Sequence, residues 1–270
     1  MDISELEQKA REVRKRIIRM NSAAGQGHTG GDLSETDILV ALYFRILRQI
    51  DPTRTNPDRD RFILSKGHGV GGYYCTLAEA GYLEDEDLTT YLGFETRCPG
   101  HPVRQKTPCI ELNTGALGHG VPVSVGMALS AKRQQKDFRV YVLTGDGELQ
   151  EGSNWEAALS AQQYCLDNLV VIVDRNRLQL ADRTENIIGL EPLADKWRAF
   201  GFDVQETQGN DMGSVVSTLE GLDFTCGCPH VVIANTTKGA GISFIEDRPA
   251  WHHRVPKGDE VALAIAELEA

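Results

Sequence analysis

The spacing of apolar and polar residues differs between the first third of the chain and the rest. In the first third, apolar residues recur at helical intervals, and a Ser34-x-x-Asp37 pattern resembles the start of a helix. These patterns predict helices over residues 3–21, 34–47 and 69–80. Residues 117–133 are mostly small and apolar, which predicts a further, buried helix.

The remainder of the chain alternates short β-branched runs with helical segments. FRVYVLT at 138–144 and LVVIVD at 169–174 are typical of strands buried on both faces, and 154–165 is helical between them. Further strands are predicted at 202–206 and 231–236, and further helices at 193–200, 212–222 and 260–268. This alternation predicts an α/β fold with a doubly wound, mostly parallel sheet and helices on both faces. Ligands of such sheets bind beyond the carboxyl ends of the strands.

Composition restricts the class of protein. No repeat or linker divides the 270 residues, so we expect a single domain over 1–270. No apolar run approaches the roughly 18 residues that span a bilayer, and the first residues do not form a signal peptide, so we expect a cytoplasmic protein that does not enter membranes. The net charge of -11 argues against binding nucleic acid.

The six cysteines do not form a zinc motif. Cys226 and Cys228 are the one close pair, and no second pair follows at zinc-site spacing. In a cytosolic protein we expect all six to be reduced thiols.

Oxygen-bearing side chains follow two of the predicted strands. Gly145-Asp146-Gly147 comes directly after the 138–144 strand, and Asn176 follows the 169–174 strand. Glycines let the backbone approach an anion, and carboxylate and amide oxygens suit Mg²⁺ or Ca²⁺, which often completes its shell with phosphate oxygens. A simple tight turn at Gly-Asp-Gly is the alternative. The pattern indicates a site for a diphosphate and its metal.

Longer motifs resemble the transketolase family. Asp146 and Asn176 have the spacing of the thiamine-diphosphate motif, a GDG followed by an Asn, within GDGELQEGSNWEAALSAQQYCLDNLVVIVDRNRLQL. The further matching strings, which follow the family's order along nearly the whole chain, are GHTGGDLS at 27–34, RFILSKGHG at 61–69, PGHP at 99–102, NTGALGHGVPVSVGMA at 113–128 and TTKGAGISFIEDRPAWHH at 236–253.

The resemblance implies a set of cofactor and metal contacts. The metal ligands would be Asp146, Asn176 and the backbone carbonyl of Leu178, holding Mg²⁺ (or Ca²⁺). The positions implied for binding thiamine diphosphate are Lys66, His68, Gly115, Ala116, Leu117, Asp146, Gly147, Glu151, Asn176, Lys238 and His252. Glu151 would take part in carboxylate contacts between active sites, although an acid at a helix N-terminus is its simpler interpretation.

Histidines form the second implied group. Imidazole donates and accepts protons near neutral pH, as cleavage of a ketose between C2 and C3 requires. By resemblance, His28 and His252 face the C3 hydroxyl and His101 holds the C1 hydroxyl, which makes these three the candidate catalytic residues. The implied reaction transfers a glycolaldehyde unit from a ketose, or its phosphate, to an aldose, and the cofactor supplies the electron sink.

Some positions depart from the family pattern. His119 stands where Gln is common, Thr29 replaces a frequent Pro, and His253 follows His252. His119 and His253 are interpreted either as substrate contacts or as ordinary loop residues.

The resemblance also implies a partner. In the family, a pyrimidine-binding domain supplies the glutamate that activates thiamine, and neither it nor a C-terminal domain precedes Ala270. We expect both on a separate C-terminal subunit, in an α2β2 assembly. Other thiamine enzymes resembling deoxyxylulose-phosphate synthase, a split transketolase for unusual or sulfonated sugars, and a non-catalytic scaffold stay open as alternatives.

Overall fold

A five-stranded parallel β-sheet runs through the middle of the computed structural model, which describes residues 1–180 and 182–270. The strands are β1 (Arg61–Leu64), β2 (Val140–Gly145), β3 (Leu169–Arg175), β4 (Asp203–Gln208) and β5 (His230–Asn235). Their spatial order is β1-β2-β3-β5-β4, and every neighbouring pair is parallel. All carboxyl ends therefore lie at one edge.

Eleven α-helices of the described residues surround this sheet. They are α1 (Ile3–Ala24), α2 (Thr29–Ser34), α3 (Thr36–Ala41), α4 (Val70–Glu79), α5 (Asp85–Thr89), α6 (Gly120–Arg133), α7 (Gly152–Gln163), α8 (Thr184–Ile187), α9 (Leu193–Ala199), α10 (Met212–Glu220) and α11 (Asp259–Glu269). A π-helical turn over Leu42–Ile46 continues α3, and short 3₁₀ turns cover Gly67–Gly69, Gly147–Gln150 and Pro249–Trp251.

Two hydrophobic cores cover the two faces of the sheet. Successive strand side chains point to opposite faces, so Tyr141 and Leu143 pack with α1, α3, α4 and α10, whereas Val140 and Val142 pack with α6, α7 and α9. The fully buried Trp197 lies in the second core. Helices on both faces of a parallel sheet confirm the predicted doubly wound α/β fold.

The ends of α1 follow from its sequence. Asp2 and Glu5 form a reciprocal capping box, in which each carboxylate accepts the other residue's backbone N–H. Gly25 ends the helix with a left-handed φ of 68°. The predicted helix over 3–21 is therefore correct but one turn short.

The helix predicted over 34–47 is wrong in its start and its continuity. Ser34 is the last residue of α2, and its hydroxyl donates to the Asp174 carboxylate at 2.7 Å instead of capping a helix. Glu35 separates α2 from α3. Strand β1 was not among the predicted strands, because its four residues are too short to show a period.

The other predicted elements agree with the structure to within three residues. Helix α6 begins at Gly120 rather than at 117, because Gly118 has a φ of 83° and ends a loop there. None of the helices in the described part of the chain is long and apolar enough to cross a membrane.

Candidate functional site

The carboxyl ends of four adjacent strands bring together residues that are far apart in sequence. Lys66 follows β1, Asp146 follows β2, Asn176 follows β3 and Lys238 follows β5. Because these strands are neighbours in the sheet, the loops that leave them share one edge. The site predicted beyond the strand ends is assembled from these loops.

Asp146 joins the loops after β2 and β3. One carboxylate oxygen accepts the N–H of Gly147 at 2.7 Å, and the other accepts the N–H of Arg177 at 2.6 Å. The same oxygen accepts a hydrogen bond from the Arg175 guanidinium at 3.0 Å. Burial, and then the nearby Asp174, raise the pKa of Asp146 against these donors. A further cation beside Asp146 would offset that unfavourable burial.

Asn176 and Leu178 present the other two oxygens predicted to bind a metal. The Asn176 side-chain oxygen accepts the N–H of Leu178 at 3.1 Å, which fixes the orientation of the amide. The Leu178 carbonyl accepts a hydrogen bond from the Lys238 ammonium at 3.0 Å. In this structure, a lysine is thus the cation that the Leu178 carbonyl contacts.

Asp174 is a residue that the sequence alone did not single out. Its carboxylate accepts hydrogen bonds from Ser34, Asn176 and Thr236, and it pairs with Lys66. Burial raises the pKa of Asp174, but Lys66 and the hydroxyl donors outweigh it, so the net shift is downward. Asp174 is an ionised anchor that orients the Asn176 amide. Its position two residues before Asn176, at a strand end, was the only signal in the sequence.

Lys66 is neutralised inside the protein. Its ammonium pairs with Asp174 and with Glu35, the latter at 2.8 Å, and the residue is 1% exposed. Burial lowers the pKa of Lys66, but the two carboxylates more than reverse that and raise it. The residue predicted to contact a cofactor here contacts two carboxylates.

Lys238 is the opposite case. Its ammonium contacts the Leu178 carbonyl and His252 Nδ1, the latter at 2.9 Å, and no carboxylate of the described residues lies within 4.0 Å. The residue is 4% exposed. Burial and the charge of Lys66 lower the pKa of Lys238 to about 8. A buried lysine without a counter-ion is typical of a site that binds an anion.

Four histidines lie beside Lys238. The His28 ring centroid lies 5.3 Å from that of His68, 5.5 Å from that of His252 and 4.2 Å from that of His253. Burial, followed by neighbouring positive groups, lowers the pKa of His28 to about 4 and that of His252 to about 3. The same causes lower the pKa of His68 well below its usual value. The lowered pKa values keep His28, His68 and His252 uncharged at pH 7.

His101 lies at the exposed side of this group. Its ring packs over Gly115, where a Cβ would lie 2.7 Å from His101 Cδ2. Gly115 also has a φ of 133°, a conformation that side-chain-bearing residues avoid. Ala116 is exposed and Leu117 half-buried in the same loop. Glycine is therefore required for this loop to approach His101.

The remaining predicted residues lie at the border of the site. Glu151 is exposed and precedes α7, where its side chain makes no capping hydrogen bond. His119 is exposed at the start of α6. His253 lies within the histidine group. The sequence left its role open between a substrate contact and an ordinary loop residue.

The polar groups at the carboxyl edge of the sheet suit one kind of ligand. Lys238 and the uncharged imidazoles favour an anion, and the oxygens of Asp146, Asn176 and Leu178 are the hard ligands that Mg²⁺ prefers. An anion that carries a divalent metal fits both sets.

Comparison with known proteins identifies the family. The model of "Transketolase, thiamine diphosphate binding domain" matches residues 7–268. The chain is 60% identical over 271 residues to an apulose-4-phosphate transketolase subunit of Actinobacillus succinogenes, covering 100% of this chain and 98% of that protein. The chain belongs to the transketolase family. The family predicted from the motifs is confirmed, as is a thiamine diphosphate binding domain.

Other members of the transketolase family are more distant. A 6-deoxy-6-sulfo-D-fructose transketolase subunit of Clostridium sp. is 40% identical over 266 residues, covering 98% of this chain and 96% of that protein. The crystal structure of Campylobacter jejuni transketolase superposes with a TM-score of 0.92 at 32% identity, covering all of this chain and 43% of that one. This chain therefore corresponds in length to the subunits, whereas it spans less than half of the longer transketolase.

Proposed function

We propose that this protein is the cofactor-diphosphate-binding subunit of a two-subunit transketolase that transfers a two-carbon unit from a ketose to an aldose. The observation that carries the proposal is the buried, unneutralised Lys238 beside three hard oxygen ligands and a group of neutral imidazoles. Each of these features serves a different part of a diphosphate cofactor or its sugar substrate.

The metal and the diphosphate have separate ligands in this proposal. Asp146, Asn176 and the Leu178 carbonyl would hold Mg²⁺, or Ca²⁺, and the Lys238 ammonium, which contacts that carbonyl, would then be free to face the diphosphate. Lys238, His68 and the N–H groups around Gly147 bind the diphosphate. Gly115, Ala116 and Leu117 line the rings of the cofactor. Lys66 acts through Asp174, which orients Asn176, rather than through direct contact.

Bound thiamine diphosphate supplies the electron sink for breaking a carbon–carbon bond beside a carbonyl. The chain's own task is to move a proton and hold the sugar. His28 and His252 are uncharged and adjacent, so either can take the proton of the donor's C3 hydroxyl. His101 binds the C1 hydroxyl, and His253 extends the same surface toward the substrate.

The partner in this proposal is a C-terminal transketolase subunit that carries the pyrimidine-binding domain, in an α2β2 assembly. The Actinobacillus succinogenes relative supports it, because that protein is itself named as one subunit of a transketolase and has nearly the same length as this chain. Glu151 is exposed at the mouth of the site, where it can reach a neighbouring protein chain.

The donor that we propose is apulose 4-phosphate. The support is the 60% identity to the subunit named for that sugar, against 40% for the subunit named for 6-deoxy-6-sulfo-D-fructose. The sulfosugar is the second candidate because that relative also matches over nearly its whole length.

Reconstitution with each donor tests the proposal. The chain is mixed with a pyrimidine-domain subunit from the same genome, Mg²⁺, thiamine diphosphate and an aldose acceptor. We expect turnover only in the mixture, with a higher kcat/KM for apulose 4-phosphate than for the sulfosugar or an ordinary pentulose phosphate. His28→Asn should lower kcat by about 100-fold or more. Activity of this chain alone, or none with any ketose in the mixture, would contradict it.

A further inference from the structure

A second group of reactive side chains lies at the opposite edge of the sheet. His230 is the first residue of β5, and Asp203, the first residue of β4, is its partner across the parallel pair. Cys226 and Cys228 lie in the loop that leads from α10 into β5. This group, the Cys226–His230 cluster, consists of those four residues. It lies at the amino ends of the strands, so the proposed cofactor site does not use it.

The two cysteine sulfurs are unusually close. Cys226 Sγ lies 2.9 Å from Cys228 Sγ, well inside the roughly 3.5–4.0 Å of ordinary non-bonded contacts. Gly227 between them has a φ of 73°, which turns both side chains to the same side. Only a small movement separates this arrangement from a sulfur–sulfur bond.

His230 is held with one nitrogen toward Cys226. The ring is 0% exposed, and Nδ1 lies 3.1 Å from the Asp203 carboxylate. Because a carboxylate accepts the Nδ1 proton, Nε2 is the nitrogen left free to accept one. Nε2 lies 4.0 Å from Cys226 Sγ. Phe224 packs edge-on against the ring with centroids 5.3 Å apart and limits its rotation.

The two thiols have different environments. Cys226 is exposed to solvent, whereas Cys228 is partly buried. Burial and the hydrogen bond with Cys226 raise the pKa of Cys228 to about 11. An accessible thiol beside a base, in contact with a second, partly buried thiol, is the arrangement of a pair in which one sulfur attacks and the other resolves.

A metal fits the cluster less well. Zinc requires ligand atoms that converge on one point. Among the described residues, the one group of three such ligands that could hold a metal ion is His28, His252 and His253, whose ligand atoms lie within 4.8 Å of one another. Cys226, Cys228 and His230 do not converge in that way. The short distance is between the two sulfurs.

We propose that Cys226 and Cys228 form a peroxide-reactive dithiol that closes to a disulfide, with His230 as the base for Cys226 and Asp203 as its positioning residue. His230 takes the Cys226 proton, and the thiolate attacks one oxygen of hydrogen peroxide. The O–O bond breaks, the departing hydroxide takes the proton from His230 as water, and Cys226 becomes a sulfenic acid. Cys228 sulfur then attacks Cys226 sulfur, and the hydroxide that leaves takes the Cys228 proton. Two thiols lose two electrons, and one peroxide becomes two waters.

Oxidation of the reduced full-length chain in the presence of a chelator tests this. With one equivalent of hydrogen peroxide, we expect the intact mass to fall by two hydrogens and peptide mapping to find a Cys226–Cys228 disulfide. Cys228→Ser should stop at a sulfenic acid on Cys226 that a cyclic diketone traps. Asp203→Asn, which keeps the buried ring in place, should slow disulfide formation by about 100-fold, as loss of an oriented base does.

Cys165 provides the matched control, because it is also exposed but contacts no other sulfur in the described part of the chain. Cys165→Ser should react at the wild-type rate. Three results would overturn the proposal: oxidation of Cys165 as fast as Cys226, a wild-type rate for Asp203→Asn, or one Zn²⁺ per chain that survives dialysis and requires both cysteines. The last would make the cluster a metal site instead.

Discussion

Lys66 and Lys238 carry the same charge at the same edge of the sheet but have different partners. Lys66 lies between two buried carboxylates, Asp174 and Glu35. Lys238 contacts only a carbonyl oxygen and an imidazole among the described residues. A paired buried lysine maintains the fold, whereas an unpaired one is held ready for an anion.

Replacement of each lysine by methionine should separate these roles. Lys66→Met leaves two buried carboxylates without their shared counter-ion and should lower the free energy of unfolding by about 3–5 kcal/mol. Lys238→Met removes an unneutralised buried charge and should leave stability equal or higher while weakening diphosphate binding. Urea denaturation and binding of inorganic diphosphate measure the two effects. Equal losses of stability in both variants would contradict the distinction.

The buried histidines predict a dependence of stability on pH. The pKa of His28 is about 4 in the folded state against 6.5 for an exposed group, and that of His252 is about 3. As pH falls below about 6.5, the unfolded chain binds protons that the folded chain does not, so stability falls. The slope for each group is at most about 1.4 kcal/mol per pH unit.

His28→Asn tests that slope. The variant should lose less stability than the wild type between pH 6.5 and pH 4.5, with the free energy of unfolding measured by denaturant titration at each pH. Identical slopes would mean that His28 takes up its proton equally in both states.

At the level of elements, α6 contains two glycines with opposite requirements. Gly126 is exposed, and a Cβ there would meet no heavy atom within 4 Å. Gly120 begins the helix, where a Cβ would collide with the Ser65 side chain that accepts its N–H. We therefore expect α6 to tolerate a larger residue at Gly126 but not at Gly120.

Alanine at each glycine gives a matched pair of variants. Gly126→Ala should raise the free energy of unfolding by about 0.5–1 kcal/mol, because alanine loses less backbone entropy in a helix. Gly120→Ala should lower it by about 1–3 kcal/mol through overpacking. Thermal unfolding of both variants beside the wild type checks the signs. The same sign for both would show that the Ser65 contact does not constrain α6.

The elements also show which parts of the secondary structure the sequence pattern can predict. Strands β2, β3 and β5 were predicted within two residues, because burial on both faces gives each of them at least four consecutive apolar residues. Strand β1 is too short for such a run. Ser34 looked like a helix cap because a buried hydrogen bond to Asp174, which is 140 residues away, leaves no local signal.

Part of the candidate site could also be predicted from the pattern of buried strands. Asp146 and Asn176 directly follow predicted strands, so their approach follows from the parallel sheet. The resemblance to transketolases added the lysines and histidines. That Lys66 would be neutralised, and that Asp174 would orient Asn176, depends on contacts between distant segments that no local pattern encodes.

For the whole molecule, the parallel sheet separates two chemistries. The carboxyl edge gathers an unneutralised lysine, hard oxygen ligands and neutral imidazoles, whereas the amino edge holds the Cys226–His230 cluster.

A variant at one edge of the sheet should therefore leave the chemistry of the other edge unchanged, so Cys226→Ser should not alter cofactor binding. The carboxyl edge faces outward with exposed His101, Ala116 and Glu151, as expected of a site that a second protein chain completes.

Calorimetric titration of thiamine diphosphate and Mg²⁺, into this chain alone and into its mixture with the pyrimidine-domain subunit, tests the central claim most directly. We predict metal-dependent binding that tightens at least about tenfold in the mixture, is lost in Asp146→Asn, and is unchanged in the control Asp195→Asn, whose side chain is exposed on α9. Absence of metal-dependent binding in both preparations would contradict the claim that this edge is a transketolase cofactor site.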